Sequence, residues 1–227
     1  DLDWIQTSNL LSRNQVRYSV APRGLLFPKT NSIAISPSFR GANIFLFILS
    51  ANNFLRKMML NNYIRDIQDF PKKGIVFKDI TPLLQDKAAF AKAVSELLKL
   101  VDNKQIDTVV GIEARGYFFG AVLAEKFGAG FVPIRKPGKL PFDTASQSYA
   151  LEYGTDTLEM HSDSIKPGDR VLLHDDVLAT GGTAQAAVAL IESLGGEVVQ
   201  CNFLMELEFL KGRQKLNGHV VTTVLKY

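Results

Sequence analysis

Two apolar periods alternate along the body of this chain, and each change of period marks a new element. Ile106–Ile112, Gly130–Arg135, Glu197–Met205 and His219–Leu225 are short runs rich in β-branched and aromatic residues, which predicts strands. Between them the spacing becomes helical. Tyr117–Phe127 closes on Gly128, and Ala184–Leu194 closes on Gly195-Gly196, glycines suited to a left-handed cap. Thr81-Pro82 is a helix-start pair, and Phe90, Val94, Leu97, Leu98 and Val101 carry an apolar stripe onward, so one long helix is expected there. Met59, Tyr63, Ile64 and Ile67 predict a further helix that ends in the turn Phe70–Gly74. Leu207–Leu216 predicts a short one.

Strands that alternate with helices imply an α/β fold, a mostly parallel central sheet with helices on both faces. Smaller β elements interrupt the pattern. Ile75–Phe77 is a short β-like run, and Tyr149–Tyr153 with Thr157–Ile165 suggests an antiparallel pair. Pro137–Ser148 holds Gly, Pro, Ser and Thr with few core candidates, so it is expected as a long exposed loop of the kind that is usually functional or disordered. Ligands of such sheets lie at the carboxyl ends of the strands.

Residues 1–57 follow a different pattern. They are rich in Ser, Asn and Arg, with seven Lys/Arg against two Asp and no sustained period. Ile44–Leu49 is apolar, but Ser50, Asn52 and Asn53 break the run well short of the ~20 residues that cross a membrane. This composition is read first as a disordered or non-native extension preceding a domain over 58–227 and next as an organelle transit peptide, whereas a folded accessory segment has few turn-bounded elements to support it. The remaining residues hold 19 Lys/Arg against 21 Asp/Glu, a slightly acidic balance that argues against a nucleic-acid-binding face. Cys201 is the only cysteine, which excludes an intramolecular disulfide and suits a reducing compartment such as the cytoplasm.

The chemistry concentrates where the run Val171–Leu173 ends in His174-Asp175-Asp176 and passes through Ala179-Thr180-Gly181-Gly182-Thr183 into a helix. The loop side chains are small enough for backbone N–H groups to approach a phosphate, with the positive end of a helix dipole behind it. Asp175 and Asp176 accept hydrogen bonds when ionised and would repel phosphate, so they suit the hydroxyls of a sugar. A second strand ends in Glu113-Ala114-Arg115-Gly116, and a third in the basic cluster Arg135-Lys136-Pro137-Gly138-Lys139. His161, His174 and His219 are scattered and lack ligand spacing.

The run Asp175–Thr183 resembles the 5-phosphoribosyl-1-pyrophosphate (PRPP) signature of type I phosphoribosyltransferases, and Leu178–Thr183 resembles their adenine-specific branch. The resemblance covers roughly residues 62–227 and implies that family's fold, with a small hood and a mobile loop. It places ribose and the 5-phosphate on Asp175, Asp176 and Ala179–Thr183. It places pyrophosphate on Glu113, Ala114, Arg115, Arg135, Lys136 and Lys139, and the base on Val76, Phe77 and Lys78. Glu152, in Ala150–Gly154, matches the family's general acid/base. The implied reaction is adenine plus PRPP giving AMP and pyrophosphate. Mg²⁺ would be held mainly by phosphate oxygens and waters, with Asp175 or Asp176 nearby. A homodimer is implied, with no nucleic acid and no membrane. A transferase for another purine and a PRPP-sensing regulator on the same scaffold are the rival readings. Lys73, Lys78 and His174 depart from the family, which usually has Pro, Arg and a β-branched apolar residue there.

Overall fold

The computed structural model describes residues 59–101, 105–150 and 154–227. The expectations for residues 1–57 and for Glu152 lie outside the described residues. Five strands form the central sheet: β3 (Thr108–Ile112), β4 (Gly130–Ile134), β7 (Arg170–Leu178), β8 (Glu197–Glu206) and β9 (Val221–Lys226). Their order is β4-β3-β7-β8-β9, and every neighbouring pair is parallel. Consecutive apolar residues in these strands serve opposite faces, as a two-residue period requires. Val110, Leu173 and Phe203 join the core under helix α4 (Gly182–Ser193), and Val109, Leu172 and Leu204 join the core under α2 (Lys87–Lys99) and α3 (Gly116–Phe127). Both faces of the sheet are therefore covered.

Four expectations change in the structure. Instead of a helix over Met59–Ile67 there is a 3-10 turn at Leu60–Tyr63, followed by strand β1 (Arg65–Gln68). β1 pairs antiparallel with β2 (Val76–Asp79), and Arg65 donates to Asp79 through Nε and Nη2 at 3.0 and 2.5 Å. Tertiary pairing overrides the local spacing here. The helix expected from Thr81 is two helices, α1 (Thr81–Gln85) and α2, because Asp86 turns extended between them. Its carboxylate caps α2 by accepting from the backbone N–H of Ala88 and Ala89.

The third change concerns Pro137–Ser148, whose second half belongs to a strand, β5 (Thr144–Ala150), antiparallel to β6 (Thr155–His161). Its inner face carries only Ala145, Gln147 and Tyr149, too weak an apolar alternation to betray a strand. Fourth, Leu207–Leu216 forms two 3-10 turns, Glu208–Leu210 and Gly212–Leu216, joined by Lys211 in the left-handed region at φ 54°.

Candidate active site

β7 ends beside β3, so the acidic pair and Glu113–Gly116 meet at the carboxyl edge of the sheet, as expected. A side chain on Gly116 would lie 2.9 Å from the His174 carbonyl oxygen and 3.0 Å from Asp175 Oδ1. Glycine thus lets the start of α3 come directly against the acids, where its dipole favours negative charge. Burial, and then the charge of Asp176, push the Asp175 carboxyl well above its ordinary range. Burial also raises Asp176, against the opposing pull of Arg115. Arg115 Nε lies 3.0 Å from Asp176 Oδ2, and its guanidinium sits 4.8 Å from the centre of the Phe77 ring. Arg115 therefore bridges the hood hairpin β1–β2 and the acidic pair.

The loop Ala179–Thr183 runs into a helix, the turn its sequence suggested. Gly181 takes φ 79° and caps α4, which begins at Gly182. A cavity of about 70 Å³ is lined by Asp175, Ala179, Thr180, Gly181 and Thr183. Small residues let this hollow reach the loop backbone. The steric demand is uneven, however. A side chain on Gly182 would meet only ordinary contacts, whereas one on Gly181 would collide with the carbonyl oxygen of Gly212.

At the strand ends expected to hold pyrophosphate, Glu113, Arg135 and Lys136 are engaged with protein partners. Glu113 accepts from Arg135 Nη2 at 2.9 Å and from the Lys136 backbone at 2.9 Å, and these bonds, the Arg135 one foremost, hold its carboxyl below the usual range. Arg135 also donates to the carbonyl of Lys139 at 3.1 Å. Lys136 pairs with Asp156 on β6 and reaches the hydroxyl of Tyr149. Burial is the largest single influence on Lys136 and opposes its charge, but Asp156 and the Tyr149 phenol together outweigh it and raise the ammonium pKa. Tyr149 in turn donates to Asp156 at 3.1 Å and accepts from Thr183 Oγ1 at 3.2 Å. One phenol thus touches groups assigned to both phosphate sites.

A larger cavity of about 770 Å³ opens beside the loop, lined by Val76, Lys78, Thr180, Leu207, Phe209 and Tyr227 among others. It shares Thr180 with the smaller cavity, so the two hollows adjoin. Val76 and Lys78 line it as expected. Phe77 is not among its lining residues, because its ring lies against Arg115 and edge-on to Phe70 at 5.2 Å. Lys78 binds Asp66 at 2.7 Å and lies 4.1 Å above the Tyr227 ring. Leu207, Phe209, Tyr227, Tyr149 and Asp156 escaped the sequence reading. Leu207, Phe209 and Tyr227 are far from the motifs in the chain and reach the site through sheet order, whereas Tyr149 and Asp156 flank Ala150–Gly154 and face each other across the β5–β6 pair.

His174 is fully buried, with Nδ1 3.1 Å from Asn202 Oδ1, and burial pushes its pKa down to about 4. It is a neutral structural neighbour of the acids. Among the described residues no group of three or more His, Cys, Asp or Glu converges as a metal cage. A divalent ion brought by a pyrophosphate, with a carboxylate beside it, fits this donor set better than a resident ion does.

A phosphoribosyl transferase domain model matches residues 79–222. The adenine phosphoribosyltransferase of Flavobacterium johnsoniae is 62% identical over 170 residues, which span 75% of this chain and 100% of that protein. The crystal structure of adenine phosphoribosyltransferase from Rhodothermus marinus is 56% identical with a TM-score of 0.72, over 74% of this chain and 96% of that one. The Saccharomyces cerevisiae enzyme, 41% identical with a TM-score of 0.69 over 72% and 95%, was crystallised with D-2,5-dideoxy-2,5-imino-altritol 1,6-bisphosphate and adenine. By this match over 79–222 and these identities across nearly the whole length of its relatives, the chain belongs to the adenine phosphoribosyltransferase family.

Proposed function

We propose that this protein transfers the phosphoribosyl group of PRPP to adenine, forming AMP and releasing pyrophosphate in purine salvage. The observation that carries this reading is the junction at Thr180 of a small anion cavity and a larger base cavity, with Asp175 lining the anion side. Asp175 and Asp176 accept from the ribose hydroxyls, and the backbone of Ala179–Thr183 cradles the 5-phosphate. Arg115, Arg135, Lys136 and Lys139 neutralise pyrophosphate as it departs with the electrons of the C1–O bond. N9 of adenine forms the new bond to C1, and its proton leaves to solvent or to a base. Glu152 is assigned as that acid/base on its motif. Mg²⁺ carried by PRPP supplies charge neutralisation on the pyrophosphate oxygens.

The base lies in the cavity bounded by Val76, Lys78 and Leu207, and Phe77 can offer its ring only when Arg115 moves onto pyrophosphate. The protein acts as a homodimer. Phe118 on α3 and Phe142 beyond Lys139, both large and exposed beside the pyrophosphate elements, support a partner surface there. We assign it to the cytoplasm. Its one cysteine, Cys201, is buried, and no described helix is long and apolar enough to cross a membrane. The test is direct: purified protein with PRPP and Mg²⁺ is offered adenine, hypoxanthine, guanine and xanthine in turn. AMP and pyrophosphate should appear with adenine alone, and preferred turnover of another base would overturn the assignment.

A further inference from the structure

A loop that holds an anion by backbone amides has no side chain with which to adjust its own position. Its placement depends on what it leans against. The loop Ala179–Thr183 leans on Gly212. A side chain on Gly212 would collide with the Ala179 carbonyl oxygen and stand 2.9 Å from the Gly181 nitrogen. One on Gly181 would collide in turn with the Gly212 carbonyl. The two backbones interlock, and neither position has room for a methyl group.

The segment that presents Gly212 is itself braced at several points. Arg213 donates Nε and Nη2 to the two carboxylate oxygens of Glu206 at 3.1 and 2.5 Å, and Nη1 to the Val221 carbonyl at 2.7 Å. Thr223 adds a hydroxyl at 3.4 Å to Glu206, whose side chain is 4% exposed. Arg213, foremost by its hydrogen bonds, holds the Glu206 carboxyl below its ordinary pKa. A two-pronged Arg–carboxylate pair fixes direction as well as distance. Lys211 takes left-handed backbone immediately before Gly212, a conformation that a side-chain-bearing residue keeps only where its surroundings impose it. At the other end, the Leu207 backbone N–H donates to the Leu178 carbonyl at 2.9 Å, and the Leu207 side chain lines the base cavity. One strut therefore touches both halves of the site.

We infer that Glu206, Gly212 and Arg213 are positioning residues that hold the phosphate loop at its working distance from the base cavity. The inference rests on the loop being the 5-phosphate cradle. Misplacing a binding group by about 1 Å can cost on the order of 100-fold, and Gly212→Ala must displace either loop or strut. Arg213→Met removes the fork, while Arg213→Lys keeps a charge without the paired geometry.

The experiment measures KM for PRPP and for adenine separately, calorimetric affinity for ribose 5-phosphate, and thermal unfolding, in the parent and these three variants. In Gly212→Ala the PRPP KM and the ribose 5-phosphate Kd should rise on the order of 10- to 100-fold, with adenine KM within about twofold of the parent. Arg213→Met should show the same split more weakly, and Arg213→Lys should recover part of it. A folded Gly212→Ala protein with parental PRPP KM overturns the inference. So does a rise of both KM values in step with lost thermal stability, which would mark a general structural role. Should Gly212→Ala fail to fold, the Arg213 pair decides, and parental PRPP KM in Arg213→Met overturns it equally. A parent protein that binds no ribose 5-phosphate refutes the cradle assignment itself and removes the basis of the strut.

Discussion

His174 makes stability depend on pH in a way that can be calculated in advance. Its ring is wholly buried between Phe119 and Asn202, one residue before the acidic pair. Desolvation is the main cause of its depressed pKa, about 4 against an ordinary 6.5, and the Asn202 bond opposes it only in part. The unfolded chain therefore binds a proton near pH 6.5 that the folded protein refuses until pH 4. Between those values the unfolded state holds more protons, so stability falls as pH falls, by up to 1.4 kcal/mol per unit. Across the whole window the loss is roughly 3 kcal/mol from this one group.

His174→Val, which restores the residue type usual in the family, removes that titration. It also strands the Asn202 carbonyl oxygen, at about 1–3 kcal/mol independent of pH. Urea unfolding of parent and variant at several pH values between 7.5 and 4.5 separates the two effects. The variant should be less stable at neutral pH, and the gap should narrow steadily as the solution is acidified below about pH 6. Carboxylates titrate in both proteins, so they cancel in the difference. Parallel pH profiles would refute the reasoning, because the buried ring would then contribute no proton linkage. A neutral His174 also adds no charge beside Asp175, so the pH profiles of PRPP KM should coincide from pH 6 to 8.

Asp176→Asn should weaken PRPP binding about tenfold in calorimetry, since hydrogen bonds to charged groups contribute roughly 1.5–3 kcal/mol against about 1 for neutral ones. Parental affinity in the folded variant would remove the acids from the ribose site. Glu152→Gln should lower turnover by ~10²–10⁴ while PRPP affinity stays near the parent's, and unchanged turnover would leave this residue without a chemical role. Light scattering at micromolar concentration should find twice the chain mass, and a fully active monomer would contradict the paired assembly.

Contiguous features were legible in the sequence. The apolar periods located the five sheet strands and the helices α3 and α4, because both faces of a parallel sheet must be buried and the side-chain pattern records it. The turn proposed to hold the phosphate was legible too. Its need for small side chains and a helix start is met within a few neighbouring residues, from Asp175 to Thr183. What lay between elements distant in the chain was not. The strand β1 hid behind a helical spacing, since its pairing partner β2 decides its conformation. The capping role of Asp86 was hidden in an otherwise continuous apolar stripe. That Arg115 lies on Phe77, that Tyr149 joins Thr183 to Lys136, and that Gly181 rather than Gly182 is the sterically closed glycine all depend on tertiary approach. Sequence spacing reports which face a residue occupies within its own element. Only the packing of β7 between β3 and β8, with the segment after β8 folding back beneath the loop, determines which residues meet across the site.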